Sequence, residues 1–214
     1  MVKIIDKENI RYSVKSGCAT LACSDPASSI VVIPSYVEEF PVKTIGAASF
    51  WPSKAEKIII PDTVTEICSS AFYECRKLKE INLPKTLNII RDHAFSCCES
   101  LESVTIPGNV CLSNNIFSGC NGLKTVIIEE GQKNLPAEIF SFCGIKNLYL
   151  PDSMTEISMG AFFGVSKEMV VHCNKGTFAE EWAMEHNFKI NYNKTQLNVF
   201  LEEITNSHDT NVIK

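Results

Sequence analysis

The sequence predicts one α/β solenoid, a right-handed coil with a parallel β-sheet along one face and short helical turns opposite. A β-hairpin caps its amino end and a helical segment caps its carboxyl end. Three observations carry this prediction. Between Ile58 and Phe162 nearly the same motif recurs five times, at a step of 22 or 23 residues. Each clear copy has an apolar–polar–apolar triplet ending in proline, followed by phenylalanine and cysteine at fixed offsets. A unit that short cannot bury its own apolar side and must stack on its neighbours.

The copies run from Ile58–Pro61 through Ala71, Phe72, Cys75 and Leu78, from Ile81–Pro84 through Ala94, Phe95, Cys98 and Leu101, and from Val104–Pro107 through Phe117, Cys120 and Leu123. A fourth, from Val126 to Cys143 and Ile145, lacks the proline, and a fifth runs from Leu148 and Pro151 to Phe162. In Ile81–Asn82–Leu83–Pro84 the alternation is that of a half-buried strand. Pro84 ends it by having no N–H to give to a ladder. In Asp92–Cys98, Ala94, Phe95 and Cys98 fall at i, i+1 and i+4, which predicts one short helical turn with Phe95 pointing inward.

The ends read as covers for the exposed edges of the stack. Ile10–Val14 and Ala19–Cys23 alternate around Lys15–Cys18 as a hairpin, and a degenerate first coil follows at Ile30–Pro34 with an insertion around Glu38–Val42. Met169–His172 supplies a last strand, Thr177–Asn187 a helix, and Thr195–Thr205 a second amphipathic helix before a frayed 206–214. The organisation is therefore a hairpin cap at 1–29, a solenoid of about six to seven turns at 30–173, and a helical cap and tail at 174–214.

The net charge of −5 offers no basic surface for a phosphate backbone, so nucleic acid is not expected as a partner. No apolar stretch approaches the roughly 20 residues a membrane helix needs, so no membrane insertion is expected. Met1–Arg11, with Asp6, Lys7 and Glu8, is too polar for a signal peptide. Of ten cysteines, Cys75, Cys98, Cys120 and Cys143 share one repeat position and read as a packed column of small buried hydrophobes. Disulfides between turns or zinc are the rival readings, but ligands about 23 residues apart lack the short paired spacing of structural zinc sites. No cofactor and no metal site is expected.

The four histidines, His93, His172, His186 and His208, are scattered over different elements. A Cys97–His93 dyad on one helical turn is the single arrangement that suggests catalysis, through i,i+4 proximity. No catalytic residues are assigned. Binding fits better. The outward strand residues Val32, Ile59, Asn82, Thr105, Ile127, Tyr149 and Val170 form a ladder, with Ile127 and Tyr149 as anchors. Lys57, Glu80, Ser103, Thr125 and Asn147 form its polar rim. The bland alternative is that these aliphatic residues simply favour strand.

The pattern IxLPxxLxxIxxxAFxxCxxLxx, as it stands in Ile81–Ser103, resembles the Treponema pallidum/BspA-type leucine-rich repeat of bacterial and protozoan surface antigens. The resemblance covers roughly Ile30–Asn187, since Gly176–Trp182 also resembles that family's closing helix. It implies a leucine-rich-repeat solenoid without catalytic residues, secreted or surface-attached and used in adhesion to host proteins or cells. On that basis the expected partner is a protein or glycoconjugate, and the chain is expected to be a monomer or weak oligomer. A cytoplasmic interaction scaffold is the alternative, because no signal peptide is evident. A thiol-dependent hydrolase or metal protein is the remote one.

Overall fold

The computed structural model describes residues 2–7, 9–24 and 28–192. The chain opens with β1 (Lys3–Lys7), β2 (Ile10–Lys15), β3 (Cys18–Ser24), β4 (Ile30–Val32), β5 (Tyr36–Val37) and β6 (Phe40–Ile45). Each following coil contributes two short strands: β7 (Lys57–Ile59) and β8 (Glu66–Ile67), β9 (Glu80–Ile81) and β10 (Ile89–Ile90), then β11 (Ser103–Ile106) and β12 (Cys111–Leu112). The series continues through β13 (Thr125–Ile128), β14 (Asn134–Leu135), β15 (Asn147–Tyr149) and β16 (Glu156–Ile157). It closes with β17 (Val170–His172), α1 (Phe178–Glu185) and β18 (Lys189–Asn191).

These strands stack as two parallel ladders on two sides of the coil. The first runs β4–β7–β9 and then β11–β13–β15–β17–β18. Between β9 and β11 it is carried by the Glu102 N–H, which donates to the Lys79 carbonyl at 3.3 Å. It holds eight strands among the described residues, one more than the copies suggest, because β18 returns after α1 to pair in parallel with β17. The second ladder runs β3–β6–β8–β10–β12, with β14–β16 as a separate pair.

The predicted amino-terminal hairpin is present as β2 and β3, turned through Ser16 and Gly17, both at positive φ, as a tight two-residue hairpin requires. β1 adds a third antiparallel strand. This sheet covers the edge of the second ladder, where β3 pairs in parallel with β6. The insertion at Glu38–Val42 is the turn and first half of a smaller β5–β6 hairpin.

The third side corrects one expectation: the Ala–Phe–Cys segments form stacked turns, not helical turns. In one coil, Ala71, Tyr73 and Cys75 donate to carbonyls three residues back, while Ser70, Phe72 and Glu74 donate to Asp92, Ala94 and Ser96 of the next coil. Ser70 and Glu74 take left-handed φ values of 57° and 54°. A single helical turn would leave its first N–H groups without partners. Alternating the hand sends every second N–H across to the adjacent coil, so none is orphaned.

Inside, Phe50, Phe72, Phe95, Phe117, Phe140 and Phe162 form one stack, with ring centroids 4.8, 4.9, 5.1, 5.5 and 5.4 Å apart. Each such ring pair is worth about 0.5–1.5 kcal/mol beyond its burial. Beside it stands the cysteine column: the thiols of Cys75, Cys98, Cys120 and Cys143 donate to the carbonyls of Phe50, Phe72, Phe95 and Phe117 at 3.0–3.4 Å. Trp182 of α1 closes the stack, 5.3 Å from the Phe162 ring. Thr177 caps α1, its hydroxyl accepting from the Glu180 N–H at 3.3 Å, and Glu180 returns a carboxylate to the Gly176 N–H at 2.6 Å. The helix expected at Thr195–Thr205 and the frayed end expected at 206–214 lie outside the described residues.

Candidate binding face

The first ladder turns one side chain of each outer row away from the Phe stack, and strand register decides which residues share a row. Val32 pairs with Ile59, Thr105 with Ile127, and Ile127 with Tyr149. Ile58 pairs with Ile81, which sets Asn82 beside Ile59. Six of the seven expected residues therefore form one row. Val170 does not belong to it: Tyr149 pairs with His172, while Val170 pairs with Asn147 in the rim row. The step from Tyr149 to His172 is the repeat's own 23 residues, and that spacing was the available signal; Val170 had been picked as the middle of an apolar run.

Exposure changes sharply along the row. Val32 is 62% exposed, and Ile59, Asn82 and Thr105 are half-buried. Ile127, Tyr149 and His172 are only 2%, 7% and 2% exposed. The two residues read as anchors are thus covered, and the open apolar end is the amino-terminal one, where Ile30 and Tyr36 are also exposed. Asn82 was expected to face water. Instead its amide accepts from the Ile60 N–H at 2.7 Å and donates to the Ile60 carbonyl at 2.8 Å, extending the ladder where β9 is only two residues long.

At the covered end the His172 ring lies on the Tyr149 ring, with centroids 4.1 Å apart. His172 Nε2–H donates to the Asn147 side-chain oxygen at 3.0 Å, which leaves Nδ1 as a buried acceptor with no partner among the described residues. Burial pushes the His172 pKa down and the Tyr149 phenol up, so both are neutral near pH 7. The rim carries a Lys57–Glu80 ion pair at 2.8 Å beside Lys79–Glu56 at 2.8 Å, pairs that fix position more than they add stability.

The residues weighed for chemistry lie elsewhere. Burial pushes the Cys75 thiol up to about 12 and likewise opposes a thiolate at Cys98, Cys120 and Cys143, so the column is a set of packed thiols. His93 and Cys97 both take left-handed φ, so the helical i,i+4 geometry assumed for a dyad does not exist, and His93 Nδ1 lies 3.2 Å from the Ser96 hydroxyl. Burial also raises the Cys97 thiol. Among the described residues no group of three or more His, Cys, Asp or Glu side chains is placed to hold a metal ion. No helix among them is long and apolar enough to cross a membrane. A feature missed in the sequence is an exposed aromatic pair on the turn side, Phe142 and Phe163, packed edge-on at 5.2 Å.

Parallel ladders wound on aligned phenylalanine and cysteine columns define a leucine-rich-repeat solenoid. The family model described as BspA type Leucine rich repeat region matches residues 43–168 in six copies, and the chain belongs to that family. Among solved structures it is similar to a leucine-rich repeat protein from Bacteroides capillosus, at 30% identity over 59% of this chain and 98% of that one, with a TM-score of 0.56. It is also similar to the T. pallidum leucine-rich repeat protein, at 25% identity over 80% and 72% of the two chains, TM-score 0.58. A leucine-rich cell surface protein from Faecalibacterium prausnitzii matches at 25% identity, TM-score 0.57, over 79% of this chain and 54% of that one, so this chain spans about half its length. No curated protein matches.

Proposed function

We propose that this chain is a non-enzymatic binding module that recognises a protein partner through the amino-terminal end of its strand face, displayed at a cell surface or secreted. The observation that carries the reading is the exposed aliphatic run Ile30, Val32 and half-buried Ile59, edged by the Lys57–Glu80 pair. An apolar patch with a polar rim is the usual composition of an interface core and its surround. A protein suits it better than the glycoconjugate also considered, because sugars stack on aromatic rings and the aromatic member of the row, Tyr149, is covered. The surface location is supported by family membership and by the printed description of the F. prausnitzii relative.

The test is capture from an extracellular-matrix extract and from a cell lysate, comparing the wild type with a Val32→Glu, Ile59→Glu double variant. Both side chains reach solvent, so the fold is expected to tolerate the change. A protein retained by the wild type and lost with the variant supports the reading. Equal recovery by both rejects the face as the interface.

A further inference from the structure

The covered end of the strand face needs an occupant. Ile127, Tyr149 and His172 point away from the Phe stack, yet all three are shielded from water, whereas Val32 in the same row is open. Their inward neighbours Val126, Leu148 and Val171 belong to the main core, while Ile127 and Tyr149 do not. α1 is used to close the end of the Phe stack through Trp182. The chain leaves the ladder beside this spot: Asn191, in the last strand, pairs with His172, and residues 193–214 follow shortly after.

The sequence of that following segment fits the groove in chemistry and in length. Leu197, Phe200, Leu201 and Ile204 stand at i, i+3, i+4 and i+7, a one-sided apolar stripe at helical spacing, and Glu202 and Glu203 fall away from it. Ten residues of helix are about 15 Å long. Three strand spacings, from β18 back across β17 and β15 to β13, come to about 14 Å. That is the stretch over which the outward row is covered.

We propose that the carboxyl-terminal end of the strand face is a groove filled by the chain's own residues 195–204, an internal cover over Ile127, Tyr149 and His172. The cover leaves the Ile30–Ile59 end of the face as its open part and does not depend on any external partner.

The test uses the full chain and a variant with Leu197→Asp, Phe200→Asp, Leu201→Asp and Ile204→Asp. Diethyl pyrocarbonate modification of His172 is followed by mass spectrometry, with exposed His93 as the internal reference. In the wild type His172 is expected to react at least tenfold more slowly than His93, and in the variant at a rate approaching it. Adding a synthetic peptide of residues 193–214 to the variant is expected to restore protection. If His172 is equally slow in both proteins, or if wild-type protection fades on dilution and so belongs to a second copy, the proposal is overturned. Unreactive Cys98 in the variant certifies the fold; should it react, the single Phe200→Asp variant is read in its place by the same criteria.

Discussion

The Cys98 thiol donates to the carbonyl of Phe72, 26 residues earlier, at 3.2 Å, and so ties each phenylalanine layer to the coil that follows it. The same bond recurs from Cys75 to Phe50 and from Cys120 to Phe95. A thiol at this position is small enough for the close coil spacing and supplies a weak donor to a buried carbonyl. Chemistry at sulfur would require a thiolate, which the same burial disfavours.

Thiol reactivity is therefore expected to follow depth. Exposed Cys111 should label first with a thiol reagent in the native protein, and Cys75, Cys98, Cys120, Cys143 and Cys173 only on unfolding. Peptide mapping after timed labelling checks the order. Rapid native labelling of any column cysteine would contradict the stack.

Phe95 sits between Phe72 and Phe117, fully buried, with both rings about parallel to its own. Phe95→Ala should cost about 3–5 kcal/mol, the usual range for an emptied aromatic site. His93, two residues away, is exposed at a left-handed φ of 57°, where the fifth copy has Gly160. His93→Gly should stay within about 0.5 kcal/mol. Urea unfolding midpoints of the two variants separate the roles.

Thr177 holds the start of the closing helix. Thr177→Ala removes the acceptor for the Glu180 N–H and should cost about 1 kcal/mol, while Thr177→Ser should keep most of it. Thermal unfolding of the pair checks this, and equal loss in both variants would count against the cap.

Stability should fall as pH drops below about 6.5, the unfolded imidazole value. His172 is held below that value by burial, so between the unfolded and the lower folded pKa the unfolded chain binds more protons. Stability then rises with pH across that window, is complete above it, and is lost as pH falls through it. Unfolding midpoints at pH 7.5, 6.5 and 5.5 should decline less in His172→Gln than in the wild type.

Two apolar columns were legible in the sequence because their members repeat in kind. Phe72, Phe95 and Phe117 each meet the same residue type above and below, so the environment of one copy is written in the next. The hairpin at β2 and β3 and the helix after Thr177 were equally legible, since Ser16–Gly17 and Thr177 act through their own local backbone. The turns were not. The alternating hand of Ser70 and Glu74 answers to hydrogen bonds with Asp92 and Ser96, more than 20 residues away, and local spacing of Ala, Phe and Cys fits a helical turn just as well.

By itself, then, the sequence determined the coil, its period and its inward residues, because burying a short repeat admits only stacking. Tertiary structure alone decided the outward row. Whether Val170 or His172 follows Tyr149 depends on the pairing of β15 with β17. Whether Tyr149 meets solvent depends on what lies above the sheet, since a side chain's identity fixes which face it prefers but not which neighbour covers it.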